Sequence, residues 1–335
     1  MASLISSLRD FEMQHMTKED IASQLDKRIH ELGSNALTTW SKYRGKDSDW
    51  SRQILCSNND ACSTIKDTFS LDVKNWENKF KEATHGQGNE IDKILTLHSS
   101  ALLALLCFSH VSTDNPLLIN GVAYEQCWFE VQNRVYDRPS SIDIVLKAND
   151  GTILFLESKF TEYLHSDSPN IAYKYFDFYK VILPLLPGCP LQMVFPKTWN
   201  ENGVNILGLG LIPKSKADRY TDLYLGGIKQ CFSHLIGLAK GPQNEDEECW
   251  LDIAGRKIYF GSIVYELNDS HFSIYRDFYS ETIGRLTSSM LADSVPDHGS
   301  HVNQIHILPN ILTYQEIFGN REFKLSAKVR KFYEL

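Results

Sequence analysis

The sequence predicts an α/β fold with helices flanking a sheet, and three features carry that expectation. Residues 101–106, Ala-Leu-Leu-Ala-Leu-Leu, are apolar nearly all round a helix, which marks a buried helix. Two segments rich in β-branched and aromatic residues, 141–147 and 152–160, flank Ala148-Asn149-Asp150-Gly151, a strong hairpin signal. Asp167-Ser168-Pro169 then opens a helix with a polar cap and proline at the first helical position.

In chain order, residues 1–85 read as a polar, helical N-terminal elaboration, with Thr17-Lys-Glu-Asp20 resembling a capping-box start before an amphipathic run through Ile29 and Leu32. Asn89 is placed to cap one helix from Glu90 to about Phe108. Turn residues at Ser112–Pro116 precede a strand over Gln126–Val135, and the hairpin follows. The helix opened at Pro169 runs towards Leu186, where Gly188 and Pro190 end it, and Leu191–Phe195 reads as a short strand. Helix, three strands, helix, strand therefore fill residues 86–200, the expected core. Residues 201–335 read as an α/β extension packed on it, with helices at 215–240 and 270–291 and a strand at 256–267.

Composition narrows the class. At 335 residues, 42% hydrophobic and 23% charged, the chain is long enough for a large core and has no disordered or fibrous bias. Its seven cysteines are odd in number and form no CxxC pair, so they read as reduced, mostly buried thiols; Cys56 and Cys62 have no nearby His to make a metal site. Arg9 and Asp10 interrupt the N-terminal apolar stretch, and Ala101–Phe108 is far shorter than the ~20 residues that span a bilayer. A cytoplasmic protein without a membrane partner is expected. The net charge of -8 argues against coating nucleic acid by bulk electrostatics but leaves room for a local basic groove. Glu245-Asp246-Glu247-Glu248 holds part of that charge and reads as a solvated loop.

The candidate chemistry sits on the hairpin. If the loop is Asn149-Asp150-Gly151, with Gly151 in the left-handed conformation, Asp143 faces Glu157 directly. Opposed residues have Cβ atoms about 4.5–5.5 Å apart, so two carboxylates meet on one face, and Lys159, two residues beyond Glu157, points the same way. The other face then collects Ile142, Ile144, Leu146, Leu154, Leu156 and Phe160, whereas a two-residue loop would set Asp143 against Ser158 and destroy this agreement. Facing like charges destabilise a sheet unless a cation neutralises them. Mg²⁺, with Mn²⁺ as a substitute, accepts one or two carboxylates plus waters and phosphate oxygens, which Asp143 and Glu157 can offer beside the Ser158 carbonyl. Lys159 is placed to orient a water and offset transition-state charge. Glu-x-Lys also occurs on solvated strands, but such a strand does not carry Ile153 and Phe155 on the face that leads to Glu157 and Lys159.

Ser140-Ser-Ile-Asp-Ile-Val145, the hairpin and Phe155-Leu-Glu-Ser-Lys-Phe160 resemble the PD-(D/E)XK nuclease superfamily. His98-Ser99-Ser100, the continuation to Glu162, and Leu312-Thr-Tyr-Gln-Glu316 are similar to a restriction-endonuclease-like group within it. The resemblance covers residues 90–200 and departs from the named pattern at Ile142, which stands where the pattern has proline. It implies an αβββαβ core around a mixed central sheet, a Mg²⁺-dependent endonuclease acting on nucleic acid, chiefly DNA, with Asp143 and Glu157 as metal ligands and Lys159 as catalytic lysine. A helix glutamate often joins such sites. Glu90 is the positional match, with an ordinary first-turn glutamate as its alternative, and Glu130 competes.

Other residues stay secondary. Lys174, Tyr175 and Lys180, with Tyr173 and Tyr179, can contact phosphates and bases, though an aromatic run on a helix is also ordinary core packing. Lys197, Lys214, Lys216 and Arg219 can line a groove. Glu162 and Tyr163 read as an exposed strand exit, and His298, His301 and His306 as a solvated loop. The competing function is a catalytically silent nuclease fold that binds nucleic acid or protein. A carboxylate-pair glycosidase leaves Lys159 without a role. Recognition sequence, strand type and a homodimer stay open.

Overall fold

The computed structural model describes residues 17–33, 38–43, 46–54, 56–85, 90–135, 138–162, 257–267, 270–281, 283–288 and 305–335, with the helical residues Cys231, His234, Leu235, Gly237 and Leu238. Helix α1 (Lys18–Glu31) starts as expected: the Thr17 hydroxyl accepts from the Asp20 amide at 3.2 Å, and the Thr17 amide donates to Asp20 Oδ2 at 2.8 Å. Ile21, Leu25 and Ile29 form its buried stripe. The helical expectation for residues 1–85 fails between 38 and 54, where β1 (Thr38–Tyr43) and β2 (Lys46–Ile54) pair antiparallel. Thr, Trp and Tyr are frequent there, and those types fit a pleated surface better than a helix. Helices α2 (Ala61–Phe69) and α3 (Trp76–Thr84) follow, tied by a hydrogen bond from Trp76 Nε1 to the Cys62 carbonyl at 2.9 Å.

The single helix expected at 90–108 is two. Between α4 (Glu90–Leu95) and α5 (Ser100–Phe108), Ser99 takes an extended backbone and its hydroxyl accepts from the Ala101 amide at 3.1 Å, so it starts a new helix. Asn89 lies outside the described residues.

The sheet comprises β3 (Leu117–Ile119), β4 (Val122–Val135), β5 (Arg138–Ala148), β6 (Ile153–Lys159), β7 (Ile258–Val264), β8 (Ile305–Ile307) and β9 (Leu312–Thr313). Among the described residues it has seven strands in the order β3-β4-β5-β6-β7-β8, with β9 also on β7. Pairs from β3 to β6 are antiparallel, whereas β7 runs parallel to β6, and β8 and β9 run parallel to β7. The sheet is thus mixed, and β6 takes as its neighbour a strand from the segment read as an extension. The helix expected at 167–186 and the strand at 191–195 fall outside the described residues. Helix α6 (Ser270–Glu281) is shorter than the expected 270–291 and gives way to a 3-10 turn at Ile283–Arg285.

Helices cover both faces of β6. Ser158 points to one face, where α5, α7 (Tyr314–Phe318) and α8 (Ala327–Tyr333) pack. There the Phe108 ring lies 4.9 Å from Phe318, and Phe160 lies 5.8 Å from Tyr333. The opposite face carries Phe155 and Phe260, covered by His234, whose ring is 6.3 Å from Phe260, and by Tyr275 of α6 against Ser262. Every residue of β6 is therefore buried, including two that are charged. Five described cysteines are free, three of them buried, and among the described residues no helix is long and apolar enough to cross a membrane.

Candidate active site

The hairpin that positions the site has the three-residue loop. Gly151 sits at φ +83° and its amide donates to the Ala148 carbonyl at 2.9 Å, while Asp150 Oδ1 accepts from the Thr152 amide at 2.8 Å. The ladder pairs Lys147 with Ile153, Leu146 with Leu154, Val145 with Phe155 and Ile144 with Leu156. One step further along the same register stand Asp143 and Glu157. The Ser158 amide donates to Asp143 Oδ2 at 2.7 Å, holding the carboxylate across the two strands. Ile142, Ile144, Leu146, Leu154, Leu156 and Phe160 are all buried on the face anticipated for them.

The next strand extends the row. Phe129 pairs with Ile144 and Val131 with Ile142, which leaves Glu130 between them opposite Asp143. Glu130 adopts φ +51°, a left-handed backbone that a non-glycine residue inside a strand adopts only at a cost. Glu130, Asp143 and Glu157 thus occupy consecutive positions across β4, β5 and β6, and Ser262 of β7 continues the row beside Glu157. Glu90, on α4, is buried and answered by Lys93, whose Nζ lies 2.7 Å from its Oε1. Of the two glutamates left open, Glu130 is the one that faces Asp143.

The charges are unevenly compensated. Glu157 is 1% exposed, with Lys159 Nζ 2.5 Å from Oε1 and His234 Nε2 2.6 Å from Oε2. Burial alone pushes its carboxyl up, but Lys159 and His234 bring it down to about 2, so it is ionised. Asp143 moves the other way, well above the usual carboxylate range, because burial is reinforced by the charges of Glu157 and Glu130 against weaker help from Lys159 and the Ser158 amide. Glu130 rises to about 8, first through burial and then through the charge of Glu90. Burial disfavours the Lys159 cation, yet Glu157, Glu162 and Asp143 outweigh it and hold the proton on. The cluster accordingly has an ionised, cation-paired centre at Glu157, flanked by two carboxyls, Asp143 and Glu130, that hold their protons until a cation compensates them.

Behind this face, the Ser158 hydroxyl lies 2.7 Å from the Tyr314 hydroxyl and donates to the Ser100 carbonyl at 3.4 Å. Glu162 is not the exposed exit expected of it: it is half-buried, accepting from the Ser100 hydroxyl and the Phe160 amide, each at 2.6 Å. The Ser100 hydroxyl of α5 and the backbone at the end of β6 draw it in. His306 lies in β8, not a loop, with its ring 5.4 Å from Tyr259; strand pairing with β7 claims its backbone. Tyr163, Tyr173, Lys174, Tyr175, Tyr179, Lys180, Lys197, Lys214, Lys216, Arg219, His298 and His301 lie outside the described residues, as does 245–248.

His234 is the member that sequence reasoning missed. A lone His within an apolar helical segment gives no signal of its own, although Cys231, Leu235 and Leu238 share its buried face at helical spacing. Among the described residues no group of three or more His, Cys, Asp and Glu side chains is arranged to hold a metal ion. A site for Mg²⁺ does not require three, because that ion keeps several waters and takes one or two carboxylates. The hard oxygens of Asp143 and Glu130 suit such a cation, which would displace their protons, and each Glu157 oxygen, met by Lys159 or His234, keeps a further lone pair for it. No protein-family model, curated protein or solved structure matches this chain.

Proposed function

We propose that this chain is a metal-dependent nuclease with a restriction-endonuclease-like core, hydrolysing phosphodiester bonds in nucleic acid, DNA foremost. The observation that carries the reading is the row of Glu130, Asp143 and Glu157 on one face of the sheet with Lys159 beside it. Drawing three acids into adjacent strands costs stability, and the left-handed backbone at Glu130 adds to that cost, a combination expected where a site is held for function. Asp143, Glu157 and the Ser158 carbonyl are the groups to hold Mg²⁺ or Mn²⁺, with Glu130 the nearest further carboxylate. When bound, the ion would polarise the scissile phosphate and activate a water.

The chain's own residues do the rest. The Ser158 amide fixes Asp143, and Glu157 stays ionised through any physiological pH. Lys159, whose proton is held firmly, serves as a fixed cation against charge developing on the phosphate, and not as a base. The test is cleavage of plasmid and oligonucleotide DNA with Mg²⁺ or Mn²⁺. Asp143→Ala and Lys159→Ala are expected to lower turnover by at least about 100-fold while the far-UV spectrum stays native. Metal-stimulated cutting that survives both substitutions would refute the assignment.

A second reading is favoured by the pairing of both Glu157 oxygens with buried groups of this chain: a self-neutralised triad in a fold that binds without turnover. It predicts nucleic-acid or protein binding that Asp143→Ala leaves intact, and no cleavage under any divalent metal.

A further inference from the structure

We infer that His234 is a positioning residue for this site, fixing the orientation of the Glu157 carboxylate; the inference rests on the nuclease reading. Glu157 is gripped from two directions. Lys159 of its own strand holds Oε1 at 2.5 Å, and His234, brought by a helix 77 positions later in the chain, holds Oε2 at 2.6 Å. Glu157 and His234 are 1% and 2% exposed, so water cannot stand in for a missing partner. The imidazole is packed as well as paired, with its ring tilted 46° to Phe260, which lies in register with Phe155.

The helix bearing His234 presents Cys231, Leu235 and Leu238 to the same interior, each no more than 1% exposed. An apolar side chain at 234 would complete that face without any polar group to satisfy. A histidine there, its Nε2 meeting a carboxylate oxygen, does what the face itself does not require. With one oxygen held by Lys159 alone, the carboxylate plane is free to turn about its last torsion. The second contact fixes which lone pairs point towards Asp143 and which are spent on the protein. Partners of this kind usually affect metal affinity or turnover by about 10–100-fold.

The test separates positioning from packing by substitution in the full chain. His234→Leu supplies an apolar side chain of similar bulk and removes the ring nitrogen, whereas His234→Gln returns a polar N–H near the place of Nε2. Calorimetric Mn²⁺ titration and kcat and KM for an oligonucleotide are measured on both, beside wild type and Asp143→Ala. Positioning predicts that His234→Leu binds Mn²⁺ about 10–100-fold more weakly and loses kcat with KM little changed, and that His234→Gln regains most of both. The inference is overturned if His234→Leu matches wild type, or if Gln falls as far as Leu. Should His234→Leu fail to fold, a His234→Gln variant that folds but binds Mn²⁺ no better than Asp143→Ala overturns it equally. Loss in Asp143→Ala with retention in His234→Leu defeats this inference alone. A wild type that neither binds Mn²⁺ nor cleaves defeats the nuclease reading, and this one with it.

Discussion

Replacing Glu130 by Gln is expected to stabilise the metal-free protein, by an amount that grows with pH. Glu130 titrates near 8 in the folded chain against 4.5 for the unperturbed group, because it is buried and faces other acids. Below pH 4.5 both states carry the proton and the shift has no effect on stability. As pH rises through that value the unfolded chain releases its proton while the folded chain keeps it until about 8, so wild type loses stability across this window. At pH 7 the loss relative to a neutral side chain is about 3 kcal/mol for a group with no solvent screening. The Glu130 side chain as a whole keeps some contact with solvent and its carboxyl shares its field with Glu90 and Glu157, so screening brings the expected gain to ~1–2 kcal/mol. The assay is urea unfolding in a chelator, with wild type and Glu130→Gln compared at about pH 5 and about pH 8. The two are expected to agree within roughly 0.5 kcal/mol at the lower pH and to separate in favour of Gln at the higher. A gap that stays constant or shrinks as pH rises would show that the row of acids is not uncompensated, and would remove the reason to place a cation there.

Two further perturbations test the frame that holds the row. Gly151→Ala places a Cβ at φ +83°, and chemical denaturation is expected to show a loss of about 1–2 kcal/mol; a costless substitution would refute the three-residue loop. His110 is lowered from 6.5 to about 4, first by burial and less by Arg330, with Asp72 opposing. The unfolded chain therefore binds a proton on acidification before the folded one does, and stability present above pH 6.5 drains away towards pH 4. His110→Asn is expected to flatten that acid limb by ~1–2 kcal/mol in thermal melts, after discounting for its partial exposure.

The central hairpin was readable because two independent patterns had to agree. Setting Asp143 against Glu157 put Ile144 with Leu156 and Leu146 with Leu154, and any one-residue slip would have turned those apolar pairs outward. No such lock existed for Glu130: its strand carries a register shift between Tyr124 and Gln126, and its own backbone is left-handed, so alternation alone did not single it out. The strand at 258–264 was legible as a strand but not as the neighbour of β6, since no turn sets the register of a parallel pair. His234 was hidden for the same reason, being carried in by tertiary packing. The break between α4 and α5 lay in plain view at Ser99, masked by the apolar run that follows it.

The parallel pairing of β6 with β7 has a bearing on how the chain is made. β6 ends at Lys159 and β7 begins at Ile258, so at about 5–20 residues per second a ribosome takes roughly 5–20 seconds to supply the missing neighbour. For that interval Ile153-Leu154-Phe155-Leu156 is an open apolar edge, the kind that recruits strands from other chains. Fragments ending between these two strands are therefore expected to be insoluble, and soluble expression should return only when the polypeptide reaches past Val264.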